Sequence, residues 1–88
     1  MKPYIDSKLG KNSRIRVFDE KINPIELLWH RDLHERKVTI LEGTGWKFQL
    51  DEKIPRELSK GDVIYIPRMI YHRIIKGEGD LKILIQDL

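Results

Sequence analysis

The chain contains no cysteine, only three histidines and no long apolar run. The lack of cysteine excludes disulfides and thiolate metal sites, so any metal site must be built from His, Asp and Glu. No segment approaches the roughly 20 apolar residues that a membrane helix requires, and the N-terminus lacks the apolar stretch of a signal peptide. We therefore expect a soluble, cytoplasmic protein without a membrane partner.

The length of 88 residues corresponds to a single domain over residues 1–88. A chain of this size buries only roughly 60 to 65% of its unfolded surface, so its core must be compact. The net charge is +3, and the first sixteen residues carry +4 of it against −1 for the remainder. This distribution predicts a basic, solvated and partly ordered N-terminal arm over residues 1–13. Because Tyr4 is the only aromatic residue among those charges, the sequence does not favour nucleic acid as a partner.

Short alternating or β-branched segments, separated by turn signals, predict seven or eight strands and no helix longer than a turn or two. The predicted strands cover residues 14–18, 25–30, 37–41, 46–50, 63–67, 72–76 and 81–86. Glycines at 43–45 and 77–79 predict two hairpins. We expect an all-β sandwich or small barrel. Its inward residues should include Val38, Ile40, Phe48, Val63, Ile74, Ile83 and Ile85.

The stretch from Glu26 to Gly45 contains the only dense cluster of metal-ligand side chains in the sequence. On an extended strand His30 and Asp32 share one face, and one further ligand from a neighbouring strand would complete a site. His72 is the only histidine outside this stretch. We therefore predict that His30, Asp32 and His72 form the metal site.

Alternatives to this ligand set remain open at the level of the sequence. His34 has the same parity as His30 and can replace Asp32 as the third ligand. Asp32 can instead form a structural ion pair with Arg31, Arg36 or Arg73, which would leave a weak or vestigial metal site. A zinc-protease helix is not expected, because the HxxxH spacing lacks the adjacent glutamate of HExxH.

The second half of the chain resembles the cupins, whose second motif reads approximately G(X)5PXG(X)2H(X)3N. Gly61, Pro67 and His72 stand at the corresponding positions, whereas Met69 replaces the glycine and Lys76 replaces the asparagine. The resemblance extends over about residues 25–86. It implies a double-stranded β-helix, also called a jelly-roll barrel, and a homodimer.

The first cupin motif, approximately G(X)5HXH(X)3–4E(X)6G, is recognisable but altered. His30 stands at the first histidine, Asp32 at the second, Arg36 at the glutamate and Gly43 at the closing glycine. The resemblance therefore implies a 2-His-1-carboxylate set in place of four ligands, similar to the HxD…H set of 2-oxoglutarate-dependent oxygenases. Such a set suits Fe(II) and also accepts Mn, Co, Ni or Zn.

Two classes of function are compatible with this set. The first is a small metal-dependent cupin that acts on a small anionic or sugar-like molecule in the barrel mouth. Arg36 and Lys76 are the candidate substrate-binding residues, although Arg36 can equally face solvent. The second is a non-catalytic ligand-binding module with a vestigial metal site. An open coordination position on the metal would distinguish the enzyme from the binding module.

Overall fold

The computed structural model describes residues 2–88, in which eight β-strands account for nearly all regular structure. The strands are β1 (Ile5–Lys8), β2 (Ser13–Phe18), β3 (Arg36–Thr44), β4 (Lys47–Leu50), β5 (Arg56–Glu57), β6 (Val63–Ile66), β7 (His72–Ile75) and β8 (Glu78–Asp87). The described residues contain one 3-10 turn, Pro24–Glu26, and no α-helix. None of their helical segments is long or apolar enough to cross a membrane.

The strands form two antiparallel sheets that enclose the core. One sheet has the order β1-β2-β8-β3-β6, and the other has the order β5-β4-β7. Strands that are neighbours in sequence are mostly not neighbours in a sheet, because the chain passes repeatedly from one sheet to the other. The predicted all-β, jelly-roll class is therefore confirmed.

The two predicted hairpins are wrong, since each marks a crossing between the sheets. β3 pairs with β6 and β8, whereas β4 pairs with β5 and β7, so the bend at Gly45 moves the chain between sheets. The bend at Gly77 does the same between β7 and β8. These crossings contact each other, because a Cβ atom on Gly77 would collide with the backbone of residues 44–46. Glycine at 77 thus allows two chain segments to pass closely.

The core lies between the sheets and consists of inward-facing apolar side chains. Its buried members are Phe18, Ile22, Val38, Ile40, Trp46, Phe48, Leu58, Ile64, Ile66, Leu81, Ile83 and Ile85. Ile74 is half-buried and packs against them. Val63 was expected to face inward, but it is 40% exposed. Its strand has the opposite parity, so Ile64 and Ile66 fill the core instead.

The N-terminal segment is ordered as a strand rather than as a partly ordered arm, and of the predicted arm only Met1 lies outside the described residues. β1 pairs with β2 along its whole length, and all four of its residues are exposed. Asp6 accepts two hydrogen bonds from Arg16, at 2.8 and 3.0 Å. Two of the five basic residues among the first sixteen, Arg14 and Arg16, therefore pair with the edge strand β1 through Asp6.

Residues 25–30 do not form the predicted strand. Pro24–Glu26 is a 3-10 turn, and the Asn23 side chain accepts a hydrogen bond from the backbone N–H of Ile25 at 3.1 Å. The turn-forming Asn-Pro pair therefore determines the local structure, and the apolar content that follows it does not. Only His30 in this range joins a sheet, through an isolated bridge to His72.

Candidate metal centre

The bridge between His30 and His72 brings the first and last predicted ligands together. The two residues exchange backbone hydrogen bonds of 3.0 and 2.8 Å. Their side chains therefore project from the same face, and the ring centroids are 4.2 Å apart. The backbone N–H of Met69 donates a hydrogen bond of 2.7 Å to the Asp32 carbonyl. This bond attaches the chain at Asp32, two residues after His30, to the loop before β7.

His30, Asp32 and His72 each offer a ligand atom, and these atoms lie within 4.8 Å of one another. Such a spacing lets the three side chains hold a metal ion from one side. The site lies partly inside the barrel, with His72 buried, Asp32 half-buried and His30 exposed. His34 is exposed and does not belong to this group. The structure thus brings together the three predicted side chains and leaves the alternative ligand outside.

Backbone carbonyls orient both imidazoles. His72 Nδ1 lies 2.9 Å from the Ile70 carbonyl oxygen, and His30 Nδ1 lies 3.2 Å from the Leu28 carbonyl oxygen. A carbonyl can only accept, so in each neutral ring Nδ1 carries the hydrogen and Nε2 keeps its lone pair. This arrangement is the usual one for metal-binding histidines, because it fixes the tautomer and directs Nε2 at the metal.

The electrostatics of the site favour a neutral His72. Burial lowers the pKa of His72 below its ordinary value, and the nearby His30 and Arg36 lower it further. The Ile70 carbonyl and the Asp32 carboxylate act in the opposite direction but do not restore it. His72 is therefore neutral at pH 7, with the lone pair of Nε2 available.

Asp32 supplies the observation that fits a cation best. Its Oδ2 atom is buried and accepts no hydrogen bond from residues 2–88, although His72 Nε2 is 3.2 Å and Arg36 Nη1 is 3.1 Å away. In this tautomer His72 Nε2 has no hydrogen to donate, and Arg36 forms an ion pair with Oδ2 without a hydrogen bond. Two electron-rich atoms, Oδ2 and Nε2, thus face each other at close range in a partly dry environment. A positive ion between them would satisfy both, so the donor set fits a divalent metal.

The sequence left open whether Arg36 faces the cavity or the solvent, and the structure places its side chain at the cavity inside the barrel. Arg36 is half-buried on β3, forms an ion pair with Asp32 and donates from Nε to Asp87 Oδ1 at 3.1 Å. Arg14 donates to the other oxygen of Asp87 at 3.0 Å. The alternative ion pair of Asp32 therefore forms with Arg36, and it coexists with the grouping of His30, Asp32 and His72, which we call the triad. Arg36 does not face solvent.

Lys76 was the second candidate substrate residue. Its ammonium group donates to the Ile22 carbonyl at 2.9 Å, and the residue does not line the cavity in which the triad lies. The strand β7 ends at Ile75, one residue before Lys76, where the chain begins its crossing to the other sheet. Because Lys76 lies past the end of β7, strand alternation does not place its side chain on the face of His72.

A cavity of about 350 Å³ opens beside the triad. Aliphatic and aromatic side chains from both sheets form most of its lining, among them Ile40, Phe48 and Ile83. Its charged lining groups include Arg36 next to the triad and Arg16 on β2. This volume lies within the range of small-molecule sites in proteins.

Arg16 is the residue that the sequence interpretation missed. It is only 8% exposed, and its guanidinium carbon lies 3.5 Å from the centroid of the Tyr4 ring. The alternation of charged and apolar residues in β2 favours Ile15 and Val17 as the inward residues, and only Phe18, which has the parity of Arg16, indicates the opposite face. In the sequence its charge contributes to the +4 of the first sixteen residues, and charge alone does not indicate burial.

The comparisons with known proteins concern structure. No family model matches the chain, and no curated protein does. The Fe(II) form of HppE superposes with a TM-score of 0.76 at 17% identity, over 98% of this chain and 51% of HppE. The DMSP lyase DddQ from Ruegeria pomeroyi DSS-3 gives 0.73 at 19% identity, over 85% of this chain and 36% of the lyase.

An RmlC-like cupin family protein from Methanocaldococcus jannaschii, described as a double-stranded β-helix, gives a TM-score of 0.70 at 16% identity. That likeness covers 99% of this chain and 82% of the archaeal protein. The chain spans only about a third of the lyase and half of HppE. What all three share with it is the barrel, and the chain therefore has the RmlC-like cupin fold, a double-stranded β-helix.

Proposed function

We propose that this protein binds a divalent metal ion through His30, Asp32 and His72 and acts on a small molecule that enters the barrel cavity. The observation that carries the proposal is the pair of electron-rich atoms on Asp32 and His72, which lie 3.2 Å apart. The buried carboxylate oxygen of this pair accepts no hydrogen bond within residues 2–88. A metal ion would compensate for the cost of burying it.

The metal would be held by three protein ligands, so coordination positions would remain open for water or substrate. Two imidazoles and one carboxylate suit Fe(II) and also accept Mn, Co, Ni or Zn. A metal in such a position polarises a bound oxygen or lowers the pKa of a bound water. That HppE carries Fe(II) in its structure and superposes on this barrel supports a redox-capable ion as one choice.

The surroundings of the triad favour a substrate that is both anionic and partly apolar. The net charge of the triad with a divalent ion is +1. The neighbouring ion-pair group of three arginines and two aspartates adds one further positive charge, and its members are Arg14, Arg16, Arg36, Asp6 and Asp87. The interior of the cavity is aliphatic, which would favour a hydrocarbon portion over the hydroxyl groups of a sugar. We therefore favour a small organic anion whose charged end binds at the metal and whose apolar end lies in the barrel.

The chain's own residues would have distinct tasks in such a reaction. The carbonyls of Leu28 and Ile70 hold the two imidazoles in the tautomer that binds metal. Arg36 neutralises part of the charge of Asp32 when no metal is bound. The apolar side chains of the cavity lower the local dielectric around a bound substrate, which strengthens the attraction between the metal and an anion.

The second candidate is a non-catalytic binding module. The contact between Arg36 and Asp32 favours it, because an internal cation at 3.1 Å can balance the carboxylate without a metal. In that case the cavity would hold an apolar ligand, and the histidines would serve as structural groups. Metal binding and open coordination positions distinguish the two candidates.

The test is to purify the protein without a histidine tag, remove metal with a chelator and titrate it separately with Fe(II), Mn(II), Co(II), Ni(II) and Zn(II). We expect one equivalent of at least one ion to bind. Failure of all five ions to bind would reject the metal proposal and favour the module. With bound Mn(II), the relaxation rate of water protons should rise, because water occupies the open positions. An unchanged rate would argue against catalysis at the metal.

A further inference from the structure

The segment that carries His30 is attached to the barrel by very little regular structure. Residues 27–29 and 31–35 belong to no strand, and His30 contributes a single bridge to β7. The bridge provides two backbone hydrogen bonds and the Met69 N–H donates a third to the Asp32 carbonyl, and three such bonds are few to hold a strand fragment in water. A further set of contacts must keep His30 opposite His72.

Side chains on the outer face of this bridge provide such contacts. In the antiparallel register Trp29 lies opposite Arg73, and Arg31 lies opposite Tyr71. The guanidinium carbon of Arg73 is 4.7 Å from the Trp29 ring centroid, and that of Arg31 is 5.0 Å from the Tyr71 centroid. Two cation–π pairs of opposite direction therefore flank the bridge, one on each side.

One of these pairs is itself fixed to the sheet. Arg73 donates from Nε to Gln49 Oε1 at 2.9 Å, and Gln49 is its neighbour on β4. Gln49 in turn donates to the Lys53 carbonyl at 2.9 Å. The Trp29 ring thus rests on a guanidinium whose position is set by a second strand. Trp29 and Tyr71 are 39% and 43% exposed, and neither lines the cavity.

We propose that Trp29, Arg31, Tyr71 and Arg73 are positioning residues for the metal centre, which hold His30 opposite His72 before any metal arrives. This inference rests on the proposed metal site but predicts a property of the metal-free chain. Successive side chains of a strand point to opposite faces. The pairs on the outer face therefore fix the register of the two segments, and this register places His30 opposite His72 on the inner face. Loss of both pairs would let the segment that carries His30 separate from β7. The three ligands would then be assembled in only a fraction of the molecules, which lowers the apparent metal affinity.

The test is hydrogen exchange at the His30 amide, which donates to the His72 carbonyl, in the chelator-treated chain. Trp29→Ala should speed this exchange about fivefold, equivalent to about 1 kcal/mol. The double variant Trp29→Ala/Tyr71→Ala should speed it by about 25-fold and weaken metal binding severalfold. Trp29→Phe should retain most of the protection, since a ring still covers Arg73. The matched control is Tyr65→Ala, which removes a 59% exposed ring from β6 in the other sheet.

Unchanged exchange at His30 in the double variant would overturn the inference, whatever the metal does. Equally rapid exchange in Tyr65→Ala would also overturn it, because the effect would then reflect general loss of stability. Metal affinity that is unchanged in a double variant with rapid exchange would show that the contacts do not position the ligand. If the unmodified chain binds no metal while the exchange results hold, the proposed function fails and the clamping role of the four residues stands.

Discussion

Replacing Asp32 by alanine is the most direct test of the ligand set. The substitution removes the carboxylate whose Oδ2 lies 3.2 Å from His72 Nε2. The backbone contact from Asp32 to Met69 does not involve the side chain and should persist. Arg36 retains its hydrogen bond to Asp87, so no isolated buried charge is created.

The expected loss of metal affinity follows from the number of ligands. Structural zinc sites with four ligands contribute about 10–16 kcal/mol, which is about 3 kcal/mol for each ligand. Loss of one of three ligands should therefore weaken binding more than hundredfold. At a metal concentration 100 times the dissociation constant of the unmodified protein, metal should stabilise that protein by about 2.7 kcal/mol and the variant by less than about 0.4 kcal/mol.

The assay is denaturant unfolding with and without metal, supported by direct measurement of bound metal. His72→Ala should behave like Asp32→Ala. His34→Ala is the matched control and should keep full metal-dependent stabilisation, because His34 is exposed and lies outside the cluster. Full metal binding by His72→Ala would refute the triad. Loss of binding in His34→Ala but not in Asp32→Ala would instead favour a three-histidine site.

Three other predictions concern the whole molecule. In the metal-free chain, the free energy of unfolding should decline in two steps as the pH falls. Denaturant unfolding at a series of pH values measures it. Because the pKa of His72 is lowered in the folded chain, neutral His72 contributes to stability above a pH of about 6.5, and this contribution is lost as the pH falls below that value. Burial raises the pKa values of the Asp6 and Asp87 carboxyls, but their arginine partners lower them by more, so both pKa values lie below the usual one. The stability that these carboxylates contribute is therefore lost as the pH falls below about 3.8. A single decline confined to pH below 4 would contradict the role given to His72. Gly77→Ala should destabilise the fold by at least about 2 kcal/mol in the same assay, because its Cβ would strike backbone, whereas Gly10→Ala should change little, since its Cβ would meet open space. Equal effects would show that the crossings can separate. Finally, the free edges of β1 and β6 should favour a homodimer, so light scattering should give a mass above the 10.5 kDa of one chain, and a constant monomer mass at all concentrations would reject this.

Local patterns located six of the eight strands but missed β1 and β5, wrongly gave a strand at residues 25–30, and did not determine how the strands pair. The alternation in residues 37–41 and 63–67 located β3 and β6, because a half-buried strand must repeat with a period of two. The inward face of residues 63–67 was assigned incorrectly. Val63 and Tyr65 share one face and Ile64 and Ile66 the other, and the residue types on both faces are compatible with a core. The hairpins were wrong because a glycine-rich bend has the same composition whether the chain returns to the same sheet or crosses to the other.

The site was predictable where a residue's role depends on short spacing. His30 and Asp32 are two residues apart, and this spacing alone placed their side chains near each other even though no regular strand forms there. Arg16 and Lys76 show the opposite case. Arg16 enters the barrel because β1 covers it, and Lys76 leaves the cavity because the chain crosses sheets after Ile75. Neither outcome follows from the alternation of the residue's own strand, because the Arg16 guanidinium binds Asp6 on β1 and the Lys76 ammonium binds the Ile22 carbonyl 54 positions away.

The sequence by itself determined the all-β class, the absence of thiolate chemistry and the candidate ligands, because these follow from composition and from periodicities of a few residues. Only the tertiary structure decided which sheet each strand joins, that Asp32 can contact Arg36 and His72 together, and that His30 is held by a single bridge. The physical reason is that these contacts join residues up to 73 positions apart, as in the pairing of Ser13 on β2 with Gln86 on β8. Local preferences do not specify such pairings, which depend on how the two sheets pack around one core.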